Sequence, residues 1–144
     1  MIRDVELLQS FFTAGIRFRQ LDSKEHQQQE SAWRKIYGHS FVPRLRHRHG
    51  AKAVDEFLRE APGQWLLVPF LSGVHGIPVQ AHRQTLSAFE CAGPPLELGD
   101  FCGSEFFISP PDFSWTLVRT HEDFAFGGPY FLRREWLSDA GEEI

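Results

Sequence analysis

Residues 105–136 read EFFISPPDFSWTLVRTHEDFAFGGPYFLRREW, and the fold turns on this stretch. Phe106, Phe107 and Ile108 run into Ser109-Pro110-Pro111-Asp112, where two prolines exclude a central strand and Asp112 is suited to closing a turn on its own backbone. A strand ends there. Trp115 to His121 are almost all β-branched, aromatic or long, and Gly127-Gly128-Pro129 marks the next break before Tyr130, Phe131 and Leu132. The pattern predicts three short strands in an antiparallel meander. Along the middle strand Trp115, Leu117, Arg119 and His121 alternate with Thr116, Val118, Thr120 and Glu122. Neither set is purely apolar, so the strand is expected inside the sheet, buried from Trp115 to Val118 and emerging with polar groups from Arg119 to Asp123.

The 144 residues fit one domain, spanning 1–144, and suffice for a real core. Fourteen Phe and four Trp give that core aromatic bulk. No apolar run approaches the ~20 residues of a membrane helix. Asp4 and Glu6 fall where a signal peptide needs an uninterrupted apolar segment, so the expectation is a cytoplasmic protein without a membrane partner. In that compartment Cys91 and Cys102 are expected as reduced thiols.

Upstream, Val5, Leu8 and Phe12, with Leu7 and Phe11 beside them, recur at helical steps, and Gly15 suits the left-handed residue that ends a helix. Ile16, Phe18 and Leu21 alternate with Arg17, Arg19 and Gln20, which fits a short strand or an extended connection. Ser23 is a good N-cap for a second helix that docks through Trp33, Ile36 and Tyr37 and stops at Gly38. Ala53, Val54, Phe57, Leu58 and Ala61 trace one face of a third helix, ended by Pro62-Gly63. Trp65 to Phe70, WLLVPF, reads as a buried strand that stops or bulges at Pro69. Thr85 to Cys91 favours a strand ending at Gly93-Pro94-Pro95, and Leu96, Leu98 and Phe101 belong to a connection pinned to the core. Helices first and strands afterwards predict an α+β domain: about three N-terminal helices covering one face of a mainly antiparallel sheet formed by the C-terminal half.

The net charge of -4 conceals an asymmetry, because three of the fifteen basic side chains, Arg119, Arg133 and Arg134, lie after residue 83 with most of the nineteen acids. Arg44 to His49, RLRHRH, is the basic cluster. It reads best as a solvated loop paired to the protein's own acids, since the acidic second half argues against nucleic acid as a partner.

Thr120-His121-Glu122-Asp123 sets an imidazole beside two carboxylates, as a general base or metal ligand requires. Successive strand residues face opposite ways, however, and the same groups would equally pin a strand end by hydrogen bonds. Cys91, Cys102, His121 and either His75 or His82 have zinc-ligand chemistry but no local CxxC, HxxxH or HExxH pair. No GxSxG, Walker or dinucleotide glycine motif is present, and no cofactor is implied.

Ser114 to Asp123, SWTLVRTHED, followed by GGPYF at 127–131, resembles the C-terminal signature of diffuse groups of small bacterial proteins, a pattern of the form WTxVxTHE then GPYF. Some of these sit beside toxin genes and are taken to be immunity or interaction proteins. The resemblance covers about a quarter of the chain. It implies a bacterial source and, by association, a protein that binds and neutralises a toxin; the acidic second half suits a toxin that is basic. The surface expected to do so carries Glu97, Asp100, Glu105, Glu122 and Asp123, with Arg119 beside them; the same acids also favour solubility. The enzymatic alternative is a small hydrolase or lyase with His121 and Glu122 as catalytic residues and Arg119 at the mouth of the site.

Overall fold

A computed structural model describes residues 4–38, 45–60, 63–70, 87–94, 105–119 and 128–138. In chain order these form α1 (Asp4–Thr13), β1 (Arg17–Gln20), α2 (Ser23–Tyr37), β2 (Arg48–His49), α3 (Gly50–Glu60), β3 (Gln64–Pro69), β4 (Phe89–Ala92), β5 (Phe106–Ser109), β6 (Trp115–Arg119) and β7 (Tyr130–Arg133), with a closing 3-10 turn at Arg134–Ser138. The strands make one antiparallel sheet in the order β1-β4-β3-β5-β6-β7-β2. This is the α+β architecture expected from the chain. The meander from Phe106 to Arg133 stands as β5-β6-β7, with β6 internal between its two sequence neighbours. Five strands come from Gln64 onward, while β1 and β2 from the first half close the two edges.

Helices cover both faces of the sheet, which corrects the expectation of one covered face. Phe11 of α1 and Phe57 of α3 join Trp65, Leu67, Phe106, Ile108, Trp115, Leu117 and Phe131 in one buried cluster. Trp33 and Tyr37 of α2 join Leu66, Val68, Phe107, Val118, Tyr130 and Leu132 in another. The two sets alternate along β3, β5, β6 and β7, as a pleat demands. A strand buried on both sides reads as a continuous apolar run. WLLVP and FFI are such runs, and each of those residues is buried.

Local chemistry explains the element ends. The N-cap of α2 is Asp22, one residue before the expected Ser23: its Oδ1 accepts from the Glu25 amide at 2.8 Å, and Glu25 Oε1 accepts from the Asp22 amide at 3.1 Å. This reciprocal box needs a carboxylate three residues on, which Asp22 has in Glu25 and Ser23 lacks in His26. Asp22→Ala is expected to lower the unfolding free energy by about 1 kcal/mol, read from a urea midpoint at constant slope. Gly15 and Gly38, with φ of 71° and 86°, end or follow their helices in the region open to glycine. Phe11 is buried as α1 requires, but Phe12, placed on the apolar face by spacing, is 85% exposed.

Pro69 is the last residue of β3; its register partner on β5 is Phe106, while pairing with β4 has already ended at Leu67. A residue without an N–H is tolerated there because one side of the ladder has stopped. In the β5–β6 turn Asp112 Oδ1 accepts from the Ser114 amide at 3.0 Å, the self-closing turn that the sequence predicts. Phe113 takes a left-handed φ of 57°, and its carbonyl accepts from the Tyr37 hydroxyl at 2.7 Å.

Candidate functional site

The antiparallel register brings the end of β3, the start of β5, the end of β6 and the start of β7 to one end of the sheet. Of the residues singled out from the sequence, Glu105 and Arg119 lie here, both half-buried. Phe106 and Arg119 are cross-strand partners and share the face under α1 and α3. Glu105 precedes Phe106 by one residue and continues the ladder through its carbonyl, which accepts from the Phe70 amide at 3.0 Å; alternation places it toward the α2 face. The two are therefore on adjacent strands but opposite faces. His121, Glu122, Asp123, Glu97 and Asp100 lie outside the described residues, as do Cys102, His75, His82 and the connection through Leu96, Leu98 and Phe101.

The same end carries a polar file that the sequence reading missed. His26, Glu30 and Arg34 follow one another at four-residue steps on α2 and are 7%, 8% and 6% exposed. His26 Nε2 meets the Pro69 carbonyl at 2.6 Å, and because a carbonyl only accepts, this nitrogen carries the proton. Arg34 Nε lies 3.4 Å from Glu30 Oε2, and the guanidinium sits 5.0 Å over the Phe70 ring. A buried ion pair is tolerated when its charges balance and its remaining donors are satisfied. Four-residue spacing of opposite charges in register with Trp33 and Tyr37 was the available signal; it resembles an ordinary solvated stripe.

At the other edge, residues 45–49 of the basic cluster are half-buried or buried against β7, where a solvated loop was expected. His47 donates through Nδ1 to the Leu45 carbonyl at 2.6 Å and sets its ring edge-on to Tyr130 at 5.3 Å. Arg48 turns to the opposite face, 3.8 Å from Glu56. Glu56 also receives Arg59 at 3.4 Å and Arg133 at 2.9 Å, and Arg133 reaches Glu60 as well. Pairing to the protein's own acids thus holds for Arg48, which weakens its claim as a phosphate contact.

Asp112, Ser114, Arg133, Arg134 and Glu135 line an open depression of about 520 Å³ between the β5–β6 turn and the 3-10 turn. The Ser114 amide holds the Asp112 carboxyl below its ordinary range, so it remains an acceptor well into mild acid. Its share of stability is present above the ordinary carboxylate pKa and is lost as pH falls through the lowered value. Cys91 is a free, buried thiol whose pKa burial pushes up to about 12, which removes it as a nucleophile at neutral pH. Among the described residues no three His, Cys, Asp or Glu side chains gather as a metal site, and no helix is long and apolar enough to cross a membrane. In comparisons with known proteins, no family model, curated protein or solved structure matches this chain.

Proposed function

We propose that this protein acts by binding another protein, with a basic partner such as a nuclease toxin as the best fit. The observation that supports this reading is where the charges go. Arg133, one of only three cations after residue 83, is paired with Glu56 and Glu60 of α3 and lies at the end of the sheet away from Glu105, so it does not offset the acid there. An acidic surface left in that condition attracts basic partners and speeds their encounter. Glu105 is the acid of the expected surface that lies among the described residues, and Glu97, Asp100, Glu122 and Asp123 complete it in the proposal. The immunity role adds the resemblance of the WTxVxTHE and GPYF ending to proteins found beside toxin genes.

Capture of the partner from the source organism with the full chain, followed by titration at low and high salt, tests the reading. Association is expected to slow markedly as salt rises, because exposed charges are screened beyond about 8–10 Å at moderate ionic strength. Salt-independent association would sink the electrostatic account. The alternative, a hydrolase or lyase built around His121 and Glu122, instead requires turnover in a substrate screen that His121→Asn abolishes without unfolding the chain.

A further inference from the structure

Among the described residues strand β1 pairs with β4 alone, and all four of its residues, Arg17, Phe18, Arg19 and Gln20, are exposed. The direction of its backbone groups follows from one bond: the Leu21 amide donates to the Ala88 carbonyl at 2.8 Å, continuing the β1–β4 ladder by one rung. In an antiparallel ladder residues alternate between those that bond one neighbour and those that bond the other. Arg17 and Arg19 therefore face β4, while the N–H and C=O groups of Phe18 and Gln20 face outward. Sheet edges are commonly protected by charge. Arg17 and Arg19 place such charge on one face of β1, while on the other face the outward rung centres on Phe18, 41% exposed, whose ring rests 5.2 Å from Phe11 and 5.8 Å from Phe89.

We propose that a second copy of this chain pairs antiparallel along β1, with the two-fold axis at Phe18 and perpendicular to the sheet. That axis keeps like faces together, as an isologous contact requires. Phe18 then exchanges both backbone hydrogen bonds with Phe18 of the second copy, and the two rings share one face. The amide of Gln20 reaches the carbonyl of Ile16 across the axis. On the other face Arg17 stands opposite Arg19 of the second copy. Arg19 already holds Glu25 at 2.9 Å and Glu90 at 3.0 Å, a group with one net negative charge. Arg17, which makes no ion pair among the described residues, supplies the missing positive charge, and symmetry repeats the match. This contact is independent of the toxin-binding reading.

The test is the mass of the purified full chain by sedimentation equilibrium over a broad concentration range. The mass is expected to rise from 16.6 kDa toward twice that value. Arg17→Glu sets a carboxylate beside Glu25 and Glu90 of the second copy and should weaken association about tenfold or more. Gln20→Pro removes an outward N–H while sparing the ladder to β4, and should weaken it comparably; circular dichroism checks that both variants stay folded. A mass that stays at 16.6 kDa at the highest concentration overturns the proposal, as does a dimer that both folded variants leave intact.

Discussion

Trp33→Ala is expected to lower the unfolding free energy by about 3–5 kcal/mol. Trp33 is 1% exposed and lies between α2 and the sheet, stacked on Phe107 at 5.3 Å and 18° and edge-on to Phe70 at 5.1 Å. Its Nε1 donates to Thr116 Oγ1 at 2.9 Å, and that hydroxyl in turn donates to the Ile108 carbonyl at 3.2 Å. Truncation removes these ring contacts and the hydrogen bond between α2 and the sheet and opens a cavity. Trp33→Phe keeps one ring but loses the N–H and part of the indole, so it should cost less than Trp33→Ala, with about 1 kcal/mol of the loss from the hydrogen bond. Urea unfolding followed by circular dichroism measures both. A loss below about 1 kcal/mol for Trp33→Ala would mean that α2 is not seated as described.

Trp115→Ala should cost a similar amount, about 3–5 kcal/mol, for a parallel reason on the opposite face. Trp115 is 4% exposed, stacked on Phe131 at 5.7 Å and 22° and edge-on to Phe57 of α3 at 5.8 Å. Trp33 and Trp115 are buried on opposite faces of the sheet, so two large losses are expected; a negligible loss at either one would mean that its face is not packed as described.

Much of the fold was legible because the signals were local. Pro110-Pro111-Asp112 and Gly128-Pro129 bracket β6, and its alternation is readable residue by residue. Pro69 marks the end of β3, and Gly15 and Gly38 mark helix ends. The side on which each helix packs was not local. Thr116 lowered the apparent apolarity of one face of β6, yet its hydroxyl is satisfied by Trp33, 83 residues away. Polar residues made apolar stripes look thin wherever a distant group completed them. His26 on α2 is completed by the Pro69 carbonyl, and His47 beside β2 is packed against Tyr130. Short edge strands were the other difficulty. Arg17–Gln20 and Arg48–His49 carry few apolar residues, and pairing with β4 and β7 defines them as strands.

The candidate site was legible in part for the same reason. Alternation along the middle strand puts Arg119 at its emerging end, whereas Glu105 is expected only as an acid of the binding surface; both occupy one end of the sheet. Their separation onto opposite faces depends on the one-residue offset from the Phe106–Arg119 pair, which sequence alone did not supply. The buried His26–Glu30–Arg34 file escaped because opposite charges four residues apart on a helix are usually a surface feature.

The most direct test of the binding account is the affinity of the captured partner for the full chain and for a Glu122→Lys/Asp123→Lys variant, both verified as folded, at low salt. The account predicts about tenfold or greater weakening in the variant, with the gap between the two proteins closing as salt rises. Equal affinity at low salt, together with unchanged behaviour of the variant in the source organism, would contradict it.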